Sequence, residues 1–322
     1  MAKKDTSPNG LNILGRAWNE LKRINWHEIN RLCQQNLHIG LIGSERDVAA
    51  MKKWLSSFPG QASSDQSPMQ VKCNTRLLTR YITSIYIGNL NEKLDEKLIK
   101  STTFCIVSPE YVNQVRRFKT EVYIFDNSGN KHLPTQVLAA HNDLRFALAY
   151  HFAVFRREHA TIVIQDTAFQ NTAWAVITSV PNTVPGPHQM VSIPFEGISD
   201  FIILSLNEMK MLFELVGLSG YTVVPYRQLP EIGILTGMAL LAQSTATSII
   251  GKLPARAGMV AKGALAYAFT YAIGEAIFTS ISYRQKVNGC FFRDSIREHY
   301  AEGVKVVNNM INQRTEGFHE HP

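Results

Sequence analysis

The spacing of apolar residues changes character along this chain, and each change marks a predicted element. Over residues 11–34, Leu11, Leu14, Trp18, Leu21, Ile24, Ile29 and Leu32 recur close to helical spacing, with Arg16, Lys22 and Arg23 between them. That pattern predicts an amphipathic helix whose bulky side carries Trp18 and Trp26, suited to packing across a domain or to an interfacial membrane contact. From residue 36 short apolar runs alternate with helical patterns. His38-Ile39-Gly40-Leu41-Ile42 reads as a strand closed by Gly43, and a helix from Ser44 to Phe58 follows, with Ser44 as N-cap and Asp47 in its first turn. Pro59 to Met69 is a loop, and further strands are expected at Tyr81 to Ile87, Thr102 to Val107 and Glu121 to Phe125. Helices are expected between them at Asn91 to Lys100 and Pro109 to Phe118. Alternation of this kind implies parallel β-α-β units, hence a three-layer α/β sheet over residues 36–150. Its ligand crevice lies beyond the strand C-termini, near Gly43, Ser44, Ser108 and Asp126.

After Gln136 the strand pattern ends, and helices are predicted at 136–157, 160–180, 195–219, 226–250, 256–285 and 293–312. Pro181 to Pro194, with four prolines and a glycine, forms a turn between two of them. The stretch from Thr161 to Tyr283 is rich in Gly and Ala, and isolated charges such as Asp200, Glu208, Lys210 and Glu275 interrupt it. Residues 232–251 carry no formal charge and are just long enough to cross a bilayer, yet Thr236, Gln243, Ser244, Thr245, Thr247 and Ser248 lower their hydrophobicity. Residues 263–283 are similar, with Glu275 costly at a bilayer centre. Two readings stay open: a buried soluble bundle, and helices inserted in or apposed to a membrane. Inside a bundle Asp200, Asn207 and Gln243 must find polar partners, either to fix helix register or to line a cleft that a regulatory partner contacts. The resulting boundaries are an N-terminal helix at 1–35, an α/β domain at 36–150, a helical domain at 151–290 and a C-terminal amphipathic helix and tail at 291–322.

Charge narrows the partners. Thirty-three Lys and Arg against 26 Asp and Glu give a net charge of +7 and a pI near 9.2, which favours anionic partners such as lipid headgroups. The basic residues are scattered in short groups without a nucleic-acid motif, so specific nucleic-acid binding is not expected. Cys33, Cys73, Cys105 and Cys290 form no CxxC pair and no signal peptide precedes them, which points to a reduced, intracellular setting. The ten histidines show no metal-ligand spacing.

Catalytic signatures are missing where they would be needed. The turn Gly43-Ser44-Glu45-Arg46-Asp47-Val48-Ala49-Ala50 has no Gly-Lys-Ser/Thr, and Glu45 and Asp47 would repel a triphosphate at the helix N-terminus. Asp126-Asn127-Ser128-Gly129 fits Asp-x-x-Gly only superficially. Asn130-Lys131-His132-Leu133 lacks the aspartate of a guanine-reading motif, and both lie on one strand end. No Gly-x-Ser-x-Gly elbow is present, and His141 and Asp143, two apart, read as surface polar groups.

Three stretches carry a family resemblance. They are Ile164-Gln165-Asp166-Thr167-Ala168 with Asn171-Thr172-Ala173 and the Ser179-Val180-Pro181 exit; Ile198-Ser199-Asp200-Phe201-Ile202-Ile203-Leu204 with Asn207-Glu208-Met209 and Met211; and Lys262-Gly263-Ala264 with Ala266-Tyr267, Thr270-Tyr271 and Gly274. Across about residues 160–285 the chain resembles the bacterial domain of unknown function numbered 697, typically found C-terminal to small GTPase-like domains and in many members predicted to associate with membranes. The upstream part, from the Ile24 to Ile29 pattern through Gly43, is similar to members whose GTPase-like domain lacks the phosphate loop. The resemblance implies a Rossmann-like, GTPase-like sheet followed by an all-α domain, and it carries no catalytic residue. The expectation is a non-catalytic, pseudo-GTPase-like protein without cofactor, metal or catalytic residues, with an anion cleft at Gly43, Ser44, Ser108 and Asp126. Trp18, Trp26, Asp200, Asn207 and Glu208 are its interaction residues, toward a protein partner, an anionic membrane surface or another copy of the chain. It is expected in the cytoplasm, at or in the inner face of the plasma membrane when membrane-bound. The alternatives are a divergent nucleotide hydrolase holding magnesium on Asp126 and a soluble scaffold.

Overall fold

A computed structural model of the chain describes residues 24–57, 80–86, 94–126, 130–179, 206–228 and 255–317. Trp18, Asp200, Gln243, the turn from Pro181 to Pro194, the loop from Pro59 to Met69 and the candidate span 232–251 lie outside the described residues. Two compact units divide the chain: His27–Thr161 with Gly217–Thr222, and Ile162–Val216 with Val223–Pro322, to which Met1–Trp26 belongs.

The first unit is α/β. After helix α1 (Trp26–Cys33), strands β1 (Ile39–Gly43), β2 (Ile82–Tyr86), β3 (Phe104–Val107) and β4 (Val122–Ile124) form one parallel sheet in the order β2-β1-β3-β4. Each connection crosses over through a helix: α2 (Glu45–Ser56) after β1, α3 (Glu96–Lys100) before β3, and a 3-10 turn with α4 (Val112–Arg116) before β4. The central strands β1 and β3 are buried at every residue, so they read as continuous apolar runs, whereas the edge strands β2 and β4 keep exposed positions. Register places Ile42 beside Ile85 and Val107. With Cys105 they form a core into which Ile99 of α3 and Val112 and Val115 of α4 pack. Capping sets the helix starts: Asp95 Oδ1 accepts from the amides of Lys97 and Leu98 at 2.9 and 3.3 Å, so α3 begins at Glu96, later than the expected start at Asn91.

The single helix predicted at 136–157 is broken twice. The structure has α5 (Leu133–Ala140) and α6 (Arg145–His151), each followed by a 3-10 turn, and the backbone leaves helical geometry at His141 and Phe152. Arginines from downstream satisfy the carbonyls that the breaks strand. Arg145 Nε donates to Leu138 O at 2.8 Å, while the buried Arg156 donates to Ala149 O at 3.0 Å and Tyr150 O at 3.2 Å. Gly220, at φ +89°, lies where a Cβ would fall 2.7 Å from that guanidinium, so only glycine fits both the left-handed turn and the space. His141, expected on the surface, instead stacks on Phe104 with ring centroids 4.9 Å apart, and its Nε2 lies 3.3 Å from Glu121.

The second unit is helical. It holds most of α7 (Arg156–Ile177), most of a helix α8 at 206–218, α9 (Ala255–Tyr283) and α10 (Gly289–Gly317). The predicted helix at 226–250 is described only at its start, where Pro225–Gln228 forms a 3-10 turn. Helices α9 and α10 form an antiparallel hairpin, since Glu275 meets Ser295 while Tyr271 meets His299. Small residues let the helices approach: a Cβ on Gly303 would lie 2.8 Å from Ala264 O, and one on Gly274 only 2.6 Å from Ile164 Cγ1. Among the described residues one helix segment, Ala257–Tyr283, is long and apolar enough to cross a bilayer, with mean hydropathy 1.3. Of its most apolar window 61% is buried within the protein.

Candidate functional site

In an open parallel sheet, ligands bind beyond the strand C-termini at the point where successive connections leave in opposite directions. Here that point lies between β1 and β3, since the chain runs from β1 outward to β2 and then returns to the other side of β1 as β3. Gly43 ends β1, Ser44 caps α2 and Ser108 follows β3, so the sheet brings these three expected residues together. A Cβ on Gly43 would lie 2.5 Å from Ser108 Oγ and 3.0 Å from Asp47 Cβ, so the close approach requires glycine. Asp126 follows β4, whose end is paired with that of β3, the Phe125 amide donating to Val107 O at 2.9 Å, so two strand spacings, about 10 Å, separate it from β1; Asn130 accepts from the Asp126 amide at 2.9 Å and donates to its carbonyl at 2.6 Å.

The N-terminus of α2 is where a phosphate would sit, and the chain's own carboxylate occupies it. Ser44 Oγ accepts from the Asp47 amide at 3.2 Å, and Asp47 Oδ2 accepts from the Ser44 hydroxyl at 2.6 Å and the Ser44 amide at 3.3 Å. This reciprocal capping box uses two amides that a phosphate cradle would offer, and with Glu45 it places two acids against the positive end of the helix. Ser108 Oγ is buried beside it and has no hydrogen-bond partner among the described residues, while the Ser108 amide donates to Ile42 O at 3.0 Å. The arrangement fixes the start of α2 with the chain's own side chains. Among the described residues no group of His, Cys, Asp and Glu converges as a metal site.

The expected interaction residues sit elsewhere. Trp26 is half-buried at the start of α1. Asn207 of α8 donates to Asn171 Oδ1 at 2.8 Å, and Asn171 in turn donates to Thr270 Oγ1 at 2.8 Å, so one polar thread ties three helices at a fixed register. Glu208 is buried, and burial pushes its carboxyl up to about 8, so it is largely protonated at neutral pH. Lys210 stays exposed, 3.6 Å from Glu214. Glu275, at the α9–α10 interface, accepts from Ser295 Oγ at 2.6 Å and lies 3.7 Å from His299 Nε2; that ring stacks on Tyr271 with centroids 3.6 Å apart, and its Nδ1 lies 3.4 Å from Glu302. No sequence motif announces this cluster, because its members come from two helices and become neighbours only when the hairpin forms. Comparison with protein-family models, with curated proteins and with solved structures finds no match, so the resemblance over residues 160–285 rests on the quoted residues themselves.

Proposed function

We propose that this chain is a non-catalytic, pseudo-GTPase-like protein: a Rossmann-like α/β domain whose nucleotide crevice is closed by its own residues, joined to a helical domain that acts at an anionic membrane surface. The observation that carries the first half is the capping box, in which Asp47 holds the amide and hydroxyl of Ser44 at the one helix start where a phosphate would bind. Isothermal titration with GTP and with ATP, each with magnesium, is expected to give no heat of binding, and turnover assays no product. Magnesium-dependent turnover that Asp126→Ala abolishes would instead establish the hydrolase alternative.

The membrane half is supported by the apolar length of Ala257–Tyr283 and by the net charge of +7. Burial of much of that helix by its neighbours, with Glu275 hydrogen-bonded inside the hairpin, favours contact with the bilayer surface over a spanning helix. Fractionation of expressing cells is expected to place the protein with membranes and to release it with salt, since exposed charge contacts are screened. Retention through both salt and carbonate would overturn the surface reading in favour of inserted helices, and recovery wholly in the supernatant would favour a soluble scaffold.

A further inference from the structure

We propose that the turn joining α9 to α10 is the element of the helical unit that contacts an anionic lipid bilayer, with Phe291 entering the headgroup boundary and the surrounding basic side chains meeting lipid phosphates. This deepens the membrane-surface reading and rests on it. Between residues 284 and 298 the chain carries Arg284, Lys286, Arg293 and Arg297 against Asp294 and Glu298, a net charge of +2, and the acids follow the turn rather than forming it. All four basic residues are exposed. Arg293, with 69% of its side chain in solvent, meets Asp294 only at 3.9 Å, a geometry that contributes little.

Helix stability accounts for only half of these charges. Arg284 and Lys286 follow the C-terminus of α9, where cations favour the helix dipole. Arg293 stands in the second turn of α10, toward the positive end of that helix, whose first turn contains no acid. Asn288 caps this start by accepting from the Phe291 amide at 2.9 Å, so the phenylalanine is held on a fixed turn. Of the two adjacent aromatics, Phe292 lies with its ring 6.1 Å from Phe269 of α9, while Phe291 keeps 37% of its surface in solvent. The last two turns of α9, from Ala276 to Tyr283, carry no charge. A large apolar side chain on a fixed turn, flanked along the chain by exposed basic residues and preceded by an uncharged helix end, matches the layered chemistry of an anionic bilayer surface.

The test uses the full chain in cosedimentation with vesicles of phosphatidylcholine alone and of phosphatidylcholine with phosphatidylserine. The wild type is expected to pellet with the phosphatidylserine vesicles at low salt. Each Lys or Arg removed is expected to lower the partition about fivefold, so Lys286→Ala with Arg293→Ala lowers it about 25-fold. Lys97→Ala with Lys100→Ala, exposed in the α/β unit, leaves it unchanged. The emission of Phe291→Trp, with the wild-type spectrum of the four native tryptophans subtracted, is expected to shift to the blue with phosphatidylserine vesicles, and circular dichroism confirms that each variant keeps its helices. Wild-type binding that the tip variant retains in full would overturn the assignment to this turn while leaving the membrane reading intact. Absence of wild-type binding to either vesicle, or binding to duplex DNA without binding to vesicles, would overturn both.

Discussion

Glu208 offers the sharpest test of the helical unit's interior. Its carboxyl is buried, and removal from water favours the neutral form, raising its pKa from the ordinary 4.5 to about 8. In the unfolded chain the carboxyl loses its proton as pH rises through about 4.5, while the native state keeps it until about 8. The unfolded state therefore binds fewer protons across that window, and stability falls as pH rises, by at most about 1.4 kcal/mol per pH unit and on the order of 5 kcal/mol in all. Glu208→Gln replaces the acid with a neutral group of nearly the same shape. Below pH 4.5 the two proteins are expected to unfold at nearly the same denaturant concentration. By pH 8 the variant is expected to be the more stable by several kcal/mol. Urea unfolding followed by circular dichroism at intervals from pH 4 to pH 9 measures the difference directly. Parallel pH profiles for wild type and variant would show that Glu208 ionises freely and that its burial is not as described.

The α/β unit is expected to respond to pH with the opposite sign. His159 is buried with its ring edge against Phe146, and desolvation, with the nearby Arg145 charge, depresses its pKa to about 3; its stabilising contribution is full above the unfolded value of 6.5 and is lost as pH falls toward 3, a loss that His159→Leu removes from the acid limb of unfolding curves. Asn171→Ala strands the Asn207 amide and the Thr270 hydroxyl in the bundle, and a loss of about 2–4 kcal/mol in chemical denaturation is expected, since each buried polar group left unpaired costs about 1–3 kcal/mol. Gly274→Ala forces a methyl to within 2.6 Å of Ile164 and is expected to cost about 1–3 kcal/mol; Ile164→Ala in the same chain recovers part of that loss, and independent, additive losses in a double-mutant cycle would show that the two helices are not in contact there.

What the sequence determined by itself is what depends on neighbours along the chain. Four apolar runs bounded by caps and prolines place β1 to β4 to within about two residues, because strand propensity, the Ser44 cap and the Pro109 start are all local. The want of a phosphate loop is equally local, and Glu45 and Asp47 already stood where a triphosphate would have to bind. Tertiary structure alone decided the rest. The order β2-β1-β3-β4 arises from hydrogen bonds between distant strands, and it is this order that sets Gly43, Ser44 and Ser108 together and puts Asp126 two strands from β1. The breaks at His141 and Phe152 carry no glycine or proline; they stand because Arg145 and Arg156, seven residues downstream of their acceptors Leu138 and Ala149, satisfy the carbonyls that the breaks expose. Glu208 looks like a surface charge in a list of residues, and only burial makes it a neutral acid.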